Sequence, residues 1–215
     1  MTAKDLNYPP TRRHFLVATT ALALGGCSGG SLIGPPSPAP QIYALNPVPP
    51  AVFDAPQVGW QLVVAVPVAP AVLDSDRIAL ERAPNAMDYY ANSQWTDRLP
   101  SLVQSLLVQT FERSGKITAV GRESAGLRPD YVLETEIRDF EAFYAVIDTP
   151  PKIRVKLVAK LLTASSHEMA GSVEVSHEAQ AAANDMTSIT AAFAQAAGAA
   201  VAETAAWTLR TGRPR

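Results

Sequence analysis

Hydrophobic and polar positions alternate most regularly in the second half of the chain. Tyr131, Leu133, Thr135 and Ile137 alternate with Val132, Glu134, Glu136 and Arg138, the period-two pattern of a strand with one buried face. The alternation slips before Phe140, Phe143 and Tyr144, which predicts a bulge near Asp139. After Pro150-Pro151, Ile153, Val155, Leu157, Ala159 and Leu161 alternate with Lys152, Arg154, Lys156, Val158 and Lys160. A third run, Met169 to Ala179, alternates less cleanly through Val173 and Val175. Three successive strands of this kind form a meander with a common core face. The opposite face reads acid, base, acid: Glu134 and Glu136, then Arg154, Lys156 and Lys160, then Glu174 and Glu178. Such charges pair across neighbouring strands, which predicts a solvated, mutually paired sheet surface rather than a site of acid–base chemistry.

The segments before the meander are shorter. Gln41 to Leu45 is a brief β-type run. Trp60 to Val66 is almost wholly apolar, as expected of a central strand buried on both faces, and Pro67 and Pro70 end it. Ile78 to Leu80 and Met87 to Tyr90 flank Pro84-Asn85, a turn signal, so they read as a hairpin or as two edge strands. Trp95, Leu99, Leu102, Val103, Leu106, Leu107 and Phe111 recur at helical spacing. Pro100 is tolerated only in the first turn of that helix, Gly115 is placed to end it, and Lys116 to Val120 follows as a short strand. The alanine-rich stretch from Thr187 to Arg210 predicts a second helix, with Asn184 or Asp185 as its cap and Gly212 at its end. Its small side chains let it lie close on a sheet, the use preferred here over dimerisation. The element order predicts an α+β fold, a mixed, largely antiparallel sheet with two main helices packed on one face.

The first forty residues follow a different pattern. Arg12-Arg13 precedes ten uncharged, mostly apolar residues, Phe15 to Leu24, and then Gly25-Gly26-Cys27. This is the charged, apolar and small-residue order of an export signal, and the run is shorter than the roughly 20 residues that span a bilayer. Leu24, Gly25, Gly26 and Cys27 resemble a lipobox. That resemblance implies diacylglycerol on the Cys27 sulfur, cleavage before Cys27 and a further acyl chain on the new amino terminus. Two or more chains anchor durably, at about 0.8 kcal/mol per buried methylene. Arg12 and Arg13, in Thr-Arg-Arg-His-Phe-Leu, also resemble a twin-arginine export motif, although Val17 stands where lysine is usual; the general secretory route fits as well. Ser28 to Pro40 is rich in Gly, Ser and Pro and reads as a semi-extended spacer of ~3 Å per residue. The chain thus divides into a signal peptide, residues 1–26, a tether, 27–40, and a folded domain, 41–212.

Composition narrows the function. The net charge is −2, and without residues 1–26 the chain keeps 15 basic and 19 acidic residues. That balance excludes nucleic acid, whose binding needs clustered Lys and Arg. A single cysteine rules out an internal disulfide. His167 and His177 stand in no metal-ligand spacing, and no nucleophile elbow, P-loop or dinucleotide fingerprint occurs. The expectation is a non-enzymatic protein without catalytic residues, metal or cofactor.

Ile78-Ala-Leu-Glu-Arg82, Tyr89-Tyr90 and Asn92-Ser-Gln-Trp95 with the leucine-rich helix behind them resemble the ABC-type transport auxiliary lipoproteins, the PqiC-like family. So do Tyr43-x-Leu45, Asp130-Tyr-Val-Leu133 and Ile137-Arg-Asp-Phe-Glu-Ala142. The resemblance covers about residues 41 to 210 and the lipobox. It implies a periplasmic domain working beside an MCE-domain protein and an ABC permease and ATPase that move lipid between two membranes. Ser28 after the acylated cysteine fits anchoring to the periplasmic face of the outer membrane, since aspartate there is the familiar inner-membrane signal. Tyr89, Tyr90 and Trp95 are the candidate partner contacts, because such aromatics anchor interfaces; the alternative is that they fill the core. A competing expectation is a lipoprotein carrying lipid or another ligand in its own pocket.

Overall fold

The computed structural model describes residues 39–46, 54–126 and 128–213. Their elements are β1 Gln41–Tyr43, β2 Val58–Val64, β3 Arg77–Ala83, β4 Ala86–Trp95, α1 Leu99–Ser114, β5 Ile117–Arg122, β6 Tyr131–Phe143, β7 Lys152–Thr163, β8 Met169–Gln180 and α2 Met186–Thr211. The eight strands form one mixed sheet whose long ladders are antiparallel, and the fold is α+β.

The meander forms as its alternation predicts. β6 pairs antiparallel with β7, and β7 with β8. The register slips between Ile137 and Asp139, opposite Leu157 and Lys156, so Arg138 is the extra residue of a bulge. Before the bulge, Leu133 and Ile137 face inward, and after it Phe140 and Ala142 do, all at most 1% exposed. One inserted residue therefore keeps the core face continuous while the strand bends.

The other edge of β6 is shared between two strands. β2 runs parallel beside its first residues, Leu62–Val64 against Tyr131–Leu133. β3 runs parallel beside its last, Leu80 and Glu81 against Ala142 and Phe143. Between them Val68 bridges, donating its N–H to the Thr135 carbonyl at 2.9 Å and accepting from Ile137 N–H at 2.8 Å. Pro67 and Pro70 lack the donors to extend a ladder, so the chain leaves β6 here and returns as β3. The sheet branches: β5 extends the β2 arm in parallel, while β4 and then β1 extend the β3 arm. β2, flanked by β5 and β6, is the buried strand its composition predicts, with Leu62, Val63 and Val64 at most 6% exposed.

β3 and β4 are the hairpin, longer than the apolar runs that marked it, with Asn85 of the turn at φ 62°. Trp95, read from its spacing as part of the first helix, is instead the last residue of β4. Its periodicity with Leu99 and Leu102 is accidental in phase: strand and helix both turn apolar positions toward the same core. Helix α1 starts with Pro100 in its first turn and ends at Gly115 in the left-handed conformation. Asp185 caps α2 by accepting the Ser188 N–H at 2.9 Å.

Both helices lie on one face of the sheet, in contact with each other, α2 over β7 and β8 and α1 against β2 and β5. Ala192, Ala196, Ala197, Ala200 and Ala205 are at most 4% exposed, so the small-residue surface of α2 is spent on packing within the chain. The centre of the core is aromatic. Phe193 of α2 stacks on Phe140 of β6 at 5.3 Å, and Trp95 meets both edge-on, at 5.2 Å from Phe193 and 6.4 Å from Phe140.

Candidate functional site

Leu24, Gly25, Gly26, Cys27, Arg12 and Arg13 lie outside the described residues. The described chain begins at Ala39, two residues before β1.

The three aromatics singled out as partner contacts all come from β4, yet they differ in role. Trp95 is 2% exposed and sits in the aromatic core; it is a packing residue, and as a contact it is corrected here. Tyr89 and Tyr90 are half-buried. The Tyr89 hydroxyl donates to the Val72 carbonyl at 2.9 Å, and the Arg77 guanidinium stacks 3.6 Å above its ring. The Tyr90 hydroxyl lies 2.9 Å from that of Tyr144, which itself donates to Asn184 Oδ1 at 2.8 Å. Tyr90 is therefore the donor to Tyr144, and the chain of three joins β4, the β6 end and the start of α2. Burial pushes the Tyr90 phenol far above its ordinary value, and its bond to Tyr144 adds to the shift. Both tyrosines present only part of a ring to solvent, with their polar ends already held.

The sequence reading missed a cluster beside them. Glu81 of β3, Glu141 of β6 and Arg154 of β7 converge across the branch. Arg154 Nε donates to Glu141 Oε1 at 2.9 Å and its Nη2 lies 2.8 Å from the same atom; Nη2 also donates to Glu81 Oε2. Glu141 further accepts the Phe140 N–H at 2.7 Å, and the guanidinium stacks 4.4 Å from the Phe143 ring. The Glu141 side chain is 5% exposed, that of Arg154 31%. Burial raises the Glu141 carboxyl above the usual carboxylate range, with Arg154 pulling the other way. Burial of Arg154 would lower its basicity, but attraction to Glu141 and the bonds to both carboxylates outweigh this and raise it. The arrangement is a clamp. β3 meets β6 at only two residue positions, and one guanidinium straps both strands to β7.

Arg154 was assigned to a solvated face, and that assignment is corrected. The signal that locates Glu141 is the bulge: once Arg138 is inserted, Glu141 and not Phe140 falls on the outer face, directly opposite Arg154. The rest of that face is the expected exposed pairing, Lys152 with Glu178 at 3.1 Å, Lys156 with Asp139 at 3.3 Å and Arg138 with Glu174 at 3.2 Å. Pairs so exposed contribute about 0–1 kcal/mol each.

His177 Nε2 lies 2.7 Å from Glu203 on α2, and His167 occupies a left-handed turn position. Among the described residues no group of three or more His, Cys, Asp and Glu is placed to hold a metal ion, and no helix is long and apolar enough to cross a membrane. A depression of about 300 Å³ opens on the outer face between Val66, Val68, Val158, Glu134, Glu136 and Lys160. Open on one side and rimmed by charge, it lacks the enclosure of a lipid-carrying pocket.

The described chain is a branched α+β domain in which the Glu81–Arg154–Glu141 cluster ties strands together. The model of the family described as ABC-type transport auxiliary lipoprotein component matches residues 43–206, and the chain belongs to that family. The crystal structure of protein XCC0632 from Xanthomonas campestris, of family DUF330, superposes with a TM-score of 0.74 at 34% identity, over 80% of this chain and 96% of that one. A second solved structure, of an uncharacterized protein, has a TM-score of 0.58 at 14% identity over 72% and 95% of the two chains, a likeness of fold alone. No curated protein matches.

Proposed function

We propose that this chain is a non-enzymatic, lipid-anchored accessory of an MCE-linked ABC system that moves lipid between membranes. Residues 1–26 are its signal peptide, 27–40 its tether and 41–212 its working domain. Acyl chains on Cys27, placed by Leu24, Gly25 and Gly26, hold it to the periplasmic face of the outer membrane, with Arg12 and Arg13 directing export. The observation that carries this reading is the family match across residues 43–206, a transport auxiliary lipoprotein. The lipobox at the end of an apolar run supports it independently. The domain acts by docking, with the exposed edges of Tyr89 and Tyr90 as its contact aromatics. Mild cross-linking of the tagged full chain in its native envelope, followed by capture, tests this. An MCE-domain protein with its permease or ATPase is the expected catch; their absence from a capture that does retain envelope lipoproteins refutes the transport role.

A further inference from the structure

We propose that the tip of the β6–β7 hairpin, Val146-Ile147, is a second membrane contact that enters the bilayer interface beside the acyl anchor. This rests on the lipid-anchored reading of Cys27. Val146 is 63% exposed and Ile147 62%, two adjacent aliphatic side chains at the end of the longest ladder in the sheet. The turn that presents them is organised. Thr149 Oγ1 donates to the Val146 carbonyl at 2.7 Å, Asp148 sits at φ 65°, and Pro150-Pro151 close the loop. A turn held in this way loses little conformational freedom when it inserts.

Topology sets which end of the sheet carries this tip. β3 runs parallel to β6, with Glu81 beside Phe143, so the Pro84-Asn85 turn lies at the same end of the sheet as Val146. β4 starts at that end, and β1 runs parallel to β4 with Gln41 beside Ser93. The chain therefore enters β1 travelling away from the tip end. Ser93 is seven residues beyond Ala86, about 23 Å at ~3.3 Å per residue. The 12 residues from Cys27 to Pro38 reach ~36 Å as a proline-rich spacer. A spacer of that length is long enough for an anchor at Cys27 to leave the tip end within reach of the bilayer. Met87, 39% exposed at the start of β4, lies at the same end. Exposed Arg82, Asp88, Asp148 and Lys152 surround the tip with both signs of charge, so the contact is apolar and indifferent to the charge of the membrane.

The test uses the full acylated lipoprotein reconstituted in phosphatidylethanolamine–phosphatidylglycerol vesicles. Ile147→Cys is labelled with an environment-sensitive NBD fluorophore; acylation blocks the Cys27 sulfur, so one site reacts. Glu168→Cys, in the β7–β8 hairpin at the opposite end, serves as the control. Blue-shifted emission at 147, with about half of it lost to doxyl-labelled lipid and no loss at 168, is the expected result for a group seated ~5–10 Å into the interface. Vesicle-bound protein whose 147 label is not quenched overturns the proposal. A blue shift without lipid quenching also overturns it, and assigns the tip to a protein surface. Protein that fails to float with vesicles and takes up label at Cys27 overturns the anchor reading itself, and the tip contact with it.

Discussion

Replacing Arg154 by methionine removes the guanidinium and keeps most of the stem's bulk. Glu141 then loses its partners at 2.8 and 2.9 Å, Glu81 loses its donor, and the Phe143 ring loses a cation stacked at 4.4 Å. Removing one partner of a buried ion pair costs about 3–5 kcal/mol. The Arg154 side chain keeps 31% of its exposure, so solvent screens part of the loss and the expected cost is about 2–4 kcal/mol. For a folded unit of this size each kcal/mol lowers Tm by about 2–4 °C, which places the drop at roughly 5–15 °C. The assay is thermal unfolding by circular dichroism across pH. Glu141 already binds its proton more tightly in the folded than in the unfolded state because it is buried, and without Arg154 that difference grows. A carboxyl raised in this direction favours the fold below its unfolded pKa, and the benefit is lost as pH rises through the folded one. The variant therefore melts closer to the wild type at mildly acidic pH than at neutral pH, and adding Glu141→Gln to Arg154→Met recovers stability at neutral pH. A deficit below about 1 kcal/mol, or one identical at both pH values, refutes the clamp.

Other expected outcomes follow from the packing and the caps. Phe193→Ala empties the centre of the aromatic cluster, where Phe193 has no exposure; it costs about 3–5 kcal/mol in chemical denaturation and flattens the near-ultraviolet signal of Trp95. Gly212→Ala drives a Cβ into the Trp60 ring, and the overpacking costs about 1–3 kcal/mol, read as a lower denaturant midpoint. Tyr144→Phe breaks the link from Tyr90 to Asn184, with a loss of about 1–3 kcal/mol for the polar groups left unpaired and faster amide exchange at the start of α2. Asp185→Ala removes the α2 cap; hydrogen bonds from Ser188 hold this carboxyl below its usual range, so the cap stabilises above the unfolded carboxylate pKa and fades as pH falls through the folded one. Melting the variant against the wild type checks this, and the gap closes in acid.

The local elements were legible because each answers to its own neighbours in the chain. Period-two alternation placed Leu133, Ile137, Ile153 and Leu157 in the core, Pro84-Asn85 marked the hairpin, Gly115 ended α1, Asp185 capped α2, and the alanines of α2 announced close packing. The branch in the sheet was not legible. Whether β2 and β3 lie on opposite edges of β6 or share one depends on contacts across some 70 residues, and parallel pairing leaves no turn in the sequence to mark it. Trp95 was misread because one apolar residue fits both a strand end and a helix start until the backbone direction is known. Glu141 was overlooked for a related reason: its burial follows from a single inserted residue, Arg138, and from Arg154 arriving on the next strand. The sequence by itself determined which residues prefer the inside and where each element stops, since these are short-range preferences of side chain and backbone. Only the tertiary structure decided which strands share an edge and which charges are paired out of water, since both depend on groups far apart in the chain meeting in one place.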